Sequence, residues 1–330
     1  NVLSLFNGMS TGHTALDNVG IKVDKYYSSE IKPYAIELTQ HHYPDTIQVG
    51  DVTKWEDWDI DWKNMDMVLS GSPCQDLSIA GKRAGLEGER SSLFFVFVDI
   101  LNHIKKLNPN VLFLQENVGS APRGDVGIMS RALGVYPVRI NSKLVTAQLR
   151  DRYYWSNIKT AQDGLFGDIV TDIPQPKDRK IMFKDIITGG AVKVDKSVSL
   201  LERTIGSCSY KDMDSDKAQK FMKERESRSM LSPVYVDSDK HHCLTISSAS
   251  RPCKSQEALI KRDKNSGMVT LINDDCKLRT VNKVEMCRLQ GFPDNHCDIL
   301  TKAMAGSLLG DGWTLPIIEH IFSFIDKDKF

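Results

Sequence analysis

Short apolar runs alternate with amphipathic stretches along the first half of the chain. Residues 2–6 read as a buried strand and residues 11–19 as a helix stopped by Gly20. The same pairing recurs, with a strand over 23–29 and a helix over 33–42 that carries Pro33 in its first turn. Further strands are expected over 46–49, 65–69, 111–114 and 153–158. A long helix over 91–107 is closed by Pro109. Strands alternating with helices predict an α/β fold, a Rossmann-like sheet covered by helices on both faces. Ligands of such sheets sit beyond the carboxyl ends of the strands, which directs attention to the residues after Phe6, Ser29, Val49, Leu69 and Leu114.

The rhythm breaks from 159 to 275, where Pro174, Pro176, the Gly189-Gly190 pair and a charged stretch over 211–228 replace clear periodicity. A smaller, irregular second domain is expected there, with a catalytic domain over 1–158 before it. A C-terminal part, 276–330, is expected to return to the first domain. It contains a helix from Arg279 through Leu289 and an apolar helix over 315–325.

Composition narrows the classes. With 330 residues, 41% apolar and 26% charged, the chain is neither disordered nor a small disulfide scaffold. It has no apolar run of transmembrane length, so no membrane is expected. Its first residues, with neither basic leader nor cleavage site, are not expected to be a signal peptide. Seven cysteines with no CxxC pair point to reduced thiols. The net charge is zero, but residues 151–290 hold 25 Lys+Arg against 20 Asp+Glu, a surplus that permits a polyanion partner. His241-His242-Cys243 lacks a second ligand pair, so no metal is expected.

Several strand ends and one extended segment carry candidate chemistry. Phe6, Asn7, Gly8, Met9, Ser10, Thr11 and Gly12 form a glycine loop between strand and helix, which suits close backbone approach to a nucleotide-like ligand. It lacks a P-loop lysine and is not GxGxxG. Glu30 ends the second strand, where an acid can hold ribose hydroxyls, and Asp51 follows the third, where one can accept from an adenine amine. Together they trace an adenosyl pocket, although each alone also fits a plain turn, cap or surface charge. Gly71-Ser72-Pro73-Cys74-Gln75 places a cysteine in a polar turn, which suits a reactive thiolate as well as an inert side chain. The charged, glycine-bearing segment 76–92 after it has the make-up of a lid. Glu116, after the strand ending at Leu114, is a candidate proton donor. Arg150 and Arg152 alternate on one face of an extended segment, a pattern that surface salt bridges also produce.

In order, SPCQ, ENV, QLRDR and RLQGFP resemble the signature blocks of the cytosine-5 DNA methyltransferases, over nearly the whole chain except about 160–275. VLSLFNGMSTG, SPCQDLS and GDGWTLPIIEHIF are most similar to the animal de novo enzymes, while the length is that of bacterial and phage members. The resemblance implies S-adenosylmethionine as cofactor and double-stranded DNA as partner. A flipped-out cytosine would be attacked by Cys74 at carbon 6 and methylated at carbon 5. It implies that Glu116 holds the base, Arg152 its carbonyl, and that Arg150 braces the site. It assigns the Phe6–Gly12 loop to the methionine part, Glu30 to the ribose, and Asp51 and Val52 to the adenine, with Ile31 also in the cofactor site. Pro73 and Leu93 would line the same pocket, with Asp311, Gly312 and Trp313 returning beside the first loop. Asn7 and the GDGW block depart from the commoner family pattern.

The region 159–275 would be a target-recognition domain, with Arg179, Arg203, Arg228, Arg251 and Lys254 as candidate DNA contacts, although a solvated surface is the better reading of any one of them taken alone. The same chemistry on transfer RNA, or a silent DNA-binding relative, are the alternatives. A monomer is expected, with self-association the alternative. The expected setting is the cytoplasm of a bacterial or phage-host cell, in restriction–modification or a related role, or the nucleus of a eukaryote.

Overall fold

The computed structural model describes residues 1–73, 93–163, 167–189 and 281–327. It also gives the backbone of Ser92 and of five short strands between 197 and 279. The chain divides into two compact units. One comprises Asn1–Ser142, Arg150–Asp178 and Gly312–Phe330, the other Lys143–Leu149 and Arg179–Asp311.

The first unit is built on a seven-stranded sheet. Its strands are β1 (Val2–Leu5), β2 (Tyr26–Ser29), β3 (Ile47–Gln48), β4 (Met67–Ser70), β5 (Leu112–Val118), β6 (Val138–Asn141) and β8 (Asp151–Ser156), in the order β3-β2-β1-β4-β5-β8-β6. β3 through β5 are mutually parallel, and β8 runs antiparallel to both β5 and β6. The expected α/β sheet is present. Strands β1, β2 and β4 are buried at every position, as befits a parallel sheet covered on both faces.

Four helices cover the strands that the sequence pattern foretold: α1 (Thr11–Asn18), α2 (Pro33–His42), α3 (Ser92–Leu107) and α4 (Arg123–Leu133). α3 sets Phe94, Phe97, Leu101 and Ile104 on one face of a helix, and that face fills the core with Phe113 and Trp155. The indole N–H of fully buried Trp155 donates to Ser130 Oγ of α4 at 2.9 Å. α4 is absent from the sequence expectation because Gly124 and Gly127 depress its helical propensity. A hairpin, β9 (Thr160–Asp163) with β10 (Asp168–Thr171), extends from the end of β8.

In the second unit β7 (Gln148–Leu149) pairs with β11 (Ser197–Val198), β12 (Val234–Val236) with β15 (Lys277–Arg279), and β13 (Leu259–Arg262) with β14 (Val269–Ile272). The helix expected from Arg279 begins instead at Lys283. Lys277–Arg279 is a strand, and Asn282 and Glu285 form a reciprocal cap at 2.9 and 2.8 Å that starts α5 (Lys283–Gln290). α6 (Lys302–Asp311) follows in the same unit. The return to the first unit therefore begins at Gly312 rather than at 276. It consists of α7 (Leu315–Phe322), which packs on α1, with Asn18 Nδ2 donating to Glu319 Oε1 at 2.6 Å.

Candidate active site at the strand ends

Backbone conformation shapes the first loop. Phe6, Gly8 and Ser10 all have positive φ, near 57°, so the chain leaves β1 in a tight winding, closed by Ser10 N–H donating to Asn7 O at 3.1 Å. A buried polar network holds that winding. Asn7 Nδ2 donates to Ser10 Oγ (2.7 Å) and Thr39 Oγ1 (3.3 Å), Tyr26 Oη donates to Asn7 Oδ1 (3.2 Å), and the Ser10 and Thr39 hydroxyls share a bond of 2.9 Å. Asn7, Ser10, Thr11 and Met9 are buried. Thr39 and Tyr26 are missing from the sequence reading, since nothing local marks a residue on α2 or β2 as a strut for the β1 loop.

Gly12 is glycine for a packing reason. A Cβ there would lie 2.4 Å from Leu69 Cδ1 and 3.1 Å from Tyr26 Oη. The glycine lets α1 sit directly on β4.

Glu30 is the hub of the second strand end. Its Oε2 accepts from Gly8 N–H at 2.8 Å, and its Oε1 accepts from Ile31 N–H (2.8 Å) and Lys32 N–H (2.9 Å). Ile31 beside it is 71% exposed. Asp51 Oδ1 accepts from both the N–H and the hydroxyl of Thr53 at 2.9 Å, which caps the 3-10 turn Val52–Asp57. These bonds hold its carboxyl below the ordinary carboxylate range. Val52 is buried, and Leu93 packs on the core cluster from the first turn of α3.

The third cluster differs most from expectation. Glu116 does not follow a strand; it lies inside β5, which runs on to Val118 because antiparallel β8 pairs with it, Glu116 opposite Tyr154 and Val118 opposite Arg152. Arg152 Nε lies 2.7 Å from Glu116 Oε1, an ion pair whose N–H is not aligned as a hydrogen bond. Trp313 Nε1 donates to Glu116 Oε2 at 3.1 Å. Buried Arg150 sends Nη2 to Gly312 O at 2.8 Å. Burial pushes the Tyr154 phenol far up, and the Glu116 charge adds to the shift.

Where the end of β4 pairs with the middle of β5, Ser70 Oγ and Gln115 Oε1 are buried with no partner among the described residues, while Gln115 Nε2 donates to Ser72 Oγ at 3.0 Å. Ser72 and half-buried Pro73 lead to Cys74, which lies outside the described residues with segment 76–91. Also outside are Arg203, Arg228, the 211–228 stretch, His241–Cys243 and the 247–254 run; Arg179 is described and donates its N–H to Leu144 O at 2.7 Å. Asp311 ends α6 in the second unit, while Gly312 and Trp313 belong to the first and reach Arg150, Gly71 and Glu116.

Residues 1–125, which supply the glycine loop, Glu30, Asp51 and Glu116, match the family model of the C-5 cytosine-specific DNA methylase. Over these residues the chain carries a C-5 cytosine-specific DNA methylase domain. It is 30% identical over 258 residues to the orphan methyltransferase M.SPRI of Bacillus phage SPR, across 74% of this chain and 53% of that protein. It is 26% identical over 332 residues to the type II methyltransferase M.HpaII of Haemophilus parainfluenzae, across 96% and 86%. The chain spans about half the length, or less, of several curated relatives that it matches. In fold it is similar to the Entamoeba histolytica methyltransferase EhMeth, with TM-score 0.58, 16% identity and coverage of 100% and 98%. Glu116 lies within the matched range, and its ion-pair partner Arg152 lies beyond it in the first unit. Among the described residues, no group of three or more His, Cys, Asp or Glu could hold a metal, and no helix is long and apolar enough to cross a membrane.

Proposed function

We propose that the protein transfers a methyl group from S-adenosylmethionine to carbon 5 of a cytosine flipped out of double-stranded DNA. The observation that carries this reading is the Glu116–Arg152 pair set in adjacent strands of a methylase-family sheet, one strand end away from the Cys74 loop.

The first three strand ends fit the cofactor. A Cβ on Gly8 would meet only the Phe6 carbonyl within 4 Å, which leaves an open, glycine-lined approach. Glu30 presents carboxylate oxygens suited to ribose hydroxyls. Asp51 spends one oxygen on Thr53 and keeps Oδ2 for an amine donor, and exposed Ile31 offers apolar surface to a flat ring. S-adenosylmethionine, when bound, supplies a methyl group made electrophilic by its sulfonium.

The remaining steps belong to this chain's residues. The Cys74 thiolate adds to carbon 6 of the cytosine and breaks the 5,6 double bond, while Glu116 hydrogen-bonds N3 and the exocyclic amine and delivers a proton to N3. Arg152 donates to the base carbonyl and neutralises Glu116 between turnovers. Carbon 5, now enamine-like, takes the methyl group. Water takes the carbon 5 proton, the double bond re-forms as the Cys74 thiolate is expelled, and the N3 proton returns to Glu116. None of these atoms is reachable inside a duplex, so the base leaves the stack. The basic side chains of 159–275, Arg179 among them, hold phosphates. The bacterial and phage sources of the named relatives support a bacterial or phage-host cytoplasm as the setting, with a monomer as the working state.

Methyl transfer from labelled S-adenosylmethionine, run in parallel on unmethylated duplex DNA and on transfer RNA, tests the reading. Label in DNA that disappears with Cys74→Ala is the expected result. Label only in RNA moves the substrate to RNA, and wild-type turnover by Cys74→Ala overturns the nucleophile.

A further inference from the structure

We propose that Trp313 is the positioning residue of Glu116, an assignment that rests on the methyltransferase reading above. A glutamate carboxylate held through one oxygen still rotates about its last bond. In Glu116 both oxygens are engaged, Oε1 by Arg152 at 2.7 Å and Oε2 by the Trp313 indole N–H at 3.1 Å. The Arg152 contact is electrostatic and loosely directed, so the indole bond fixes the plane of the carboxylate. A carboxylate that meets the edge of a planar base has to present that plane correctly before the base arrives.

Two further features are built around the indole. Gly71 has no positive φ, so its backbone does not call for glycine. A Cβ there would lie 2.8 Å from Trp313 Nε1 and 3.3 and 3.4 Å from Cε2 and Cζ2. The clearance is for the indole. The segment that delivers Trp313 is itself pinned on both sides, by Arg150 Nη2 to Gly312 O at 2.8 Å and by the bond of 2.8 Å between the Ser142 and Thr314 hydroxyls. Glycine before the SPC turn, glutamate in ENV and tryptophan in GDGW thus form one contiguous device.

The variant Trp313→Phe keeps an aromatic ring over Gly71 and removes the N–H. It should lower single-turnover methyl transfer at saturating DNA and cofactor by about tenfold, in keeping with one lost charge-assisted bond. The dissociation constant for S-adenosylhomocysteine should change by less than about twofold. Gly71→Ala, which pushes the indole from the other side, should give a similar loss, and the double variant should lose little more, because the two act on one contact. In a 1H–15N spectrum, the indole signal that Trp313→Phe removes should move on Glu116→Gln, whatever the activity. Weakened S-adenosylhomocysteine binding with an unchanged transfer rate would make Trp313 a mere wall of the cofactor pocket and overturn the assignment, as would an indole signal indifferent to Glu116→Gln. No transfer by the wild type overturns the methyltransferase reading itself. That case is told apart by an indole signal that still moves with Glu116→Gln.

Discussion

The Glu30 carboxylate accepts the Gly8 backbone N–H at 2.8 Å, and that bond ties the glycine loop after β1 to the end of β2. The other oxygen takes the N–H groups of Ile31 and Lys32, so one side chain organises the turns after two neighbouring strands. Glu30→Ala removes an ionised acceptor from three donors at once. Hydrogen bonds to a charged group contribute roughly 1.5–3 kcal/mol each when intact, with the exposed ones worth least. Binding of S-adenosylhomocysteine should weaken by at least about tenfold in titration calorimetry, with Glu30→Gln intermediate because it keeps one acceptor. Wild-type affinity in Glu30→Ala would remove Glu30 from the cofactor site.

Gly12→Ala tests the packing of α1 on β4. The new methyl meets Cδ1 of the fully buried Leu69 side chain at 2.4 Å. Overpacking of this kind costs roughly 1–3 kcal/mol. A matching loss in urea unfolding is expected, and Leu69→Ala in the same chain should recover part of it by opening the space. Additive losses in the double variant would show that the two residues do not meet.

What the sequence discloses, and what it hides, follows from range. The alternation that predicts β1, α1, β2, α2, β4 and α3 is local, and the acids Glu30 and Asp51 stand at strand ends where that alternation stops. Glu116 is misplaced by sequence because the end of β5 is decided by β8, some forty residues later, whose antiparallel pairing carries the strand on to Val118. α4 is hidden by its two glycines, and the 3-10 turns Val52–Asp57 and Trp62–Asn64 by tryptophans that pack on the core without helical periodicity. The Trp313–Glu116 bond spans 197 positions, so no window along the chain contains it.

The Glu116–Arg152 pair is mostly buried, with side chains 11% and 13% exposed. Removing one partner strands the other charge, and losses of about 3–5 kcal/mol are typical of fully buried pairs. Arg152→Ala should fall near or below the lower end of that range in chemical unfolding. Glu116→Gln keeps the shape and an acceptor and should cost less, and Glu116→Gln combined with Arg152→Ala should be more stable than Arg152→Ala alone. All three should fail to transfer methyl groups, which separates the electrostatic contribution to stability from the chemistry. A double variant less stable than Arg152→Ala would contradict the pairing.

His13 gives the fold a pH dependence of its own. Its ring is stacked between Tyr26 and Tyr43, with centroids 4.3 and 3.8 Å apart, and its Nδ1 is buried with no partner among the described residues. Burial lowers its pKa, and Asp17, one turn along α1, offsets this only in part. Above the ordinary histidine value of 6.5 both folded and unfolded chains hold it neutral. As pH falls through that value the unfolded chain binds the proton first, so stability declines until the folded-state pKa is passed and the loss is complete. His13→Phe preserves the stack and removes the titration. The difference in unfolding free energy between wild type and His13→Phe should therefore be flat above about pH 7 and should move against the wild type between about pH 6.5 and the lower folded-state value. A difference that stays constant down to about pH 5 would mean that the ring takes up its proton as readily in the folded chain as in the unfolded one.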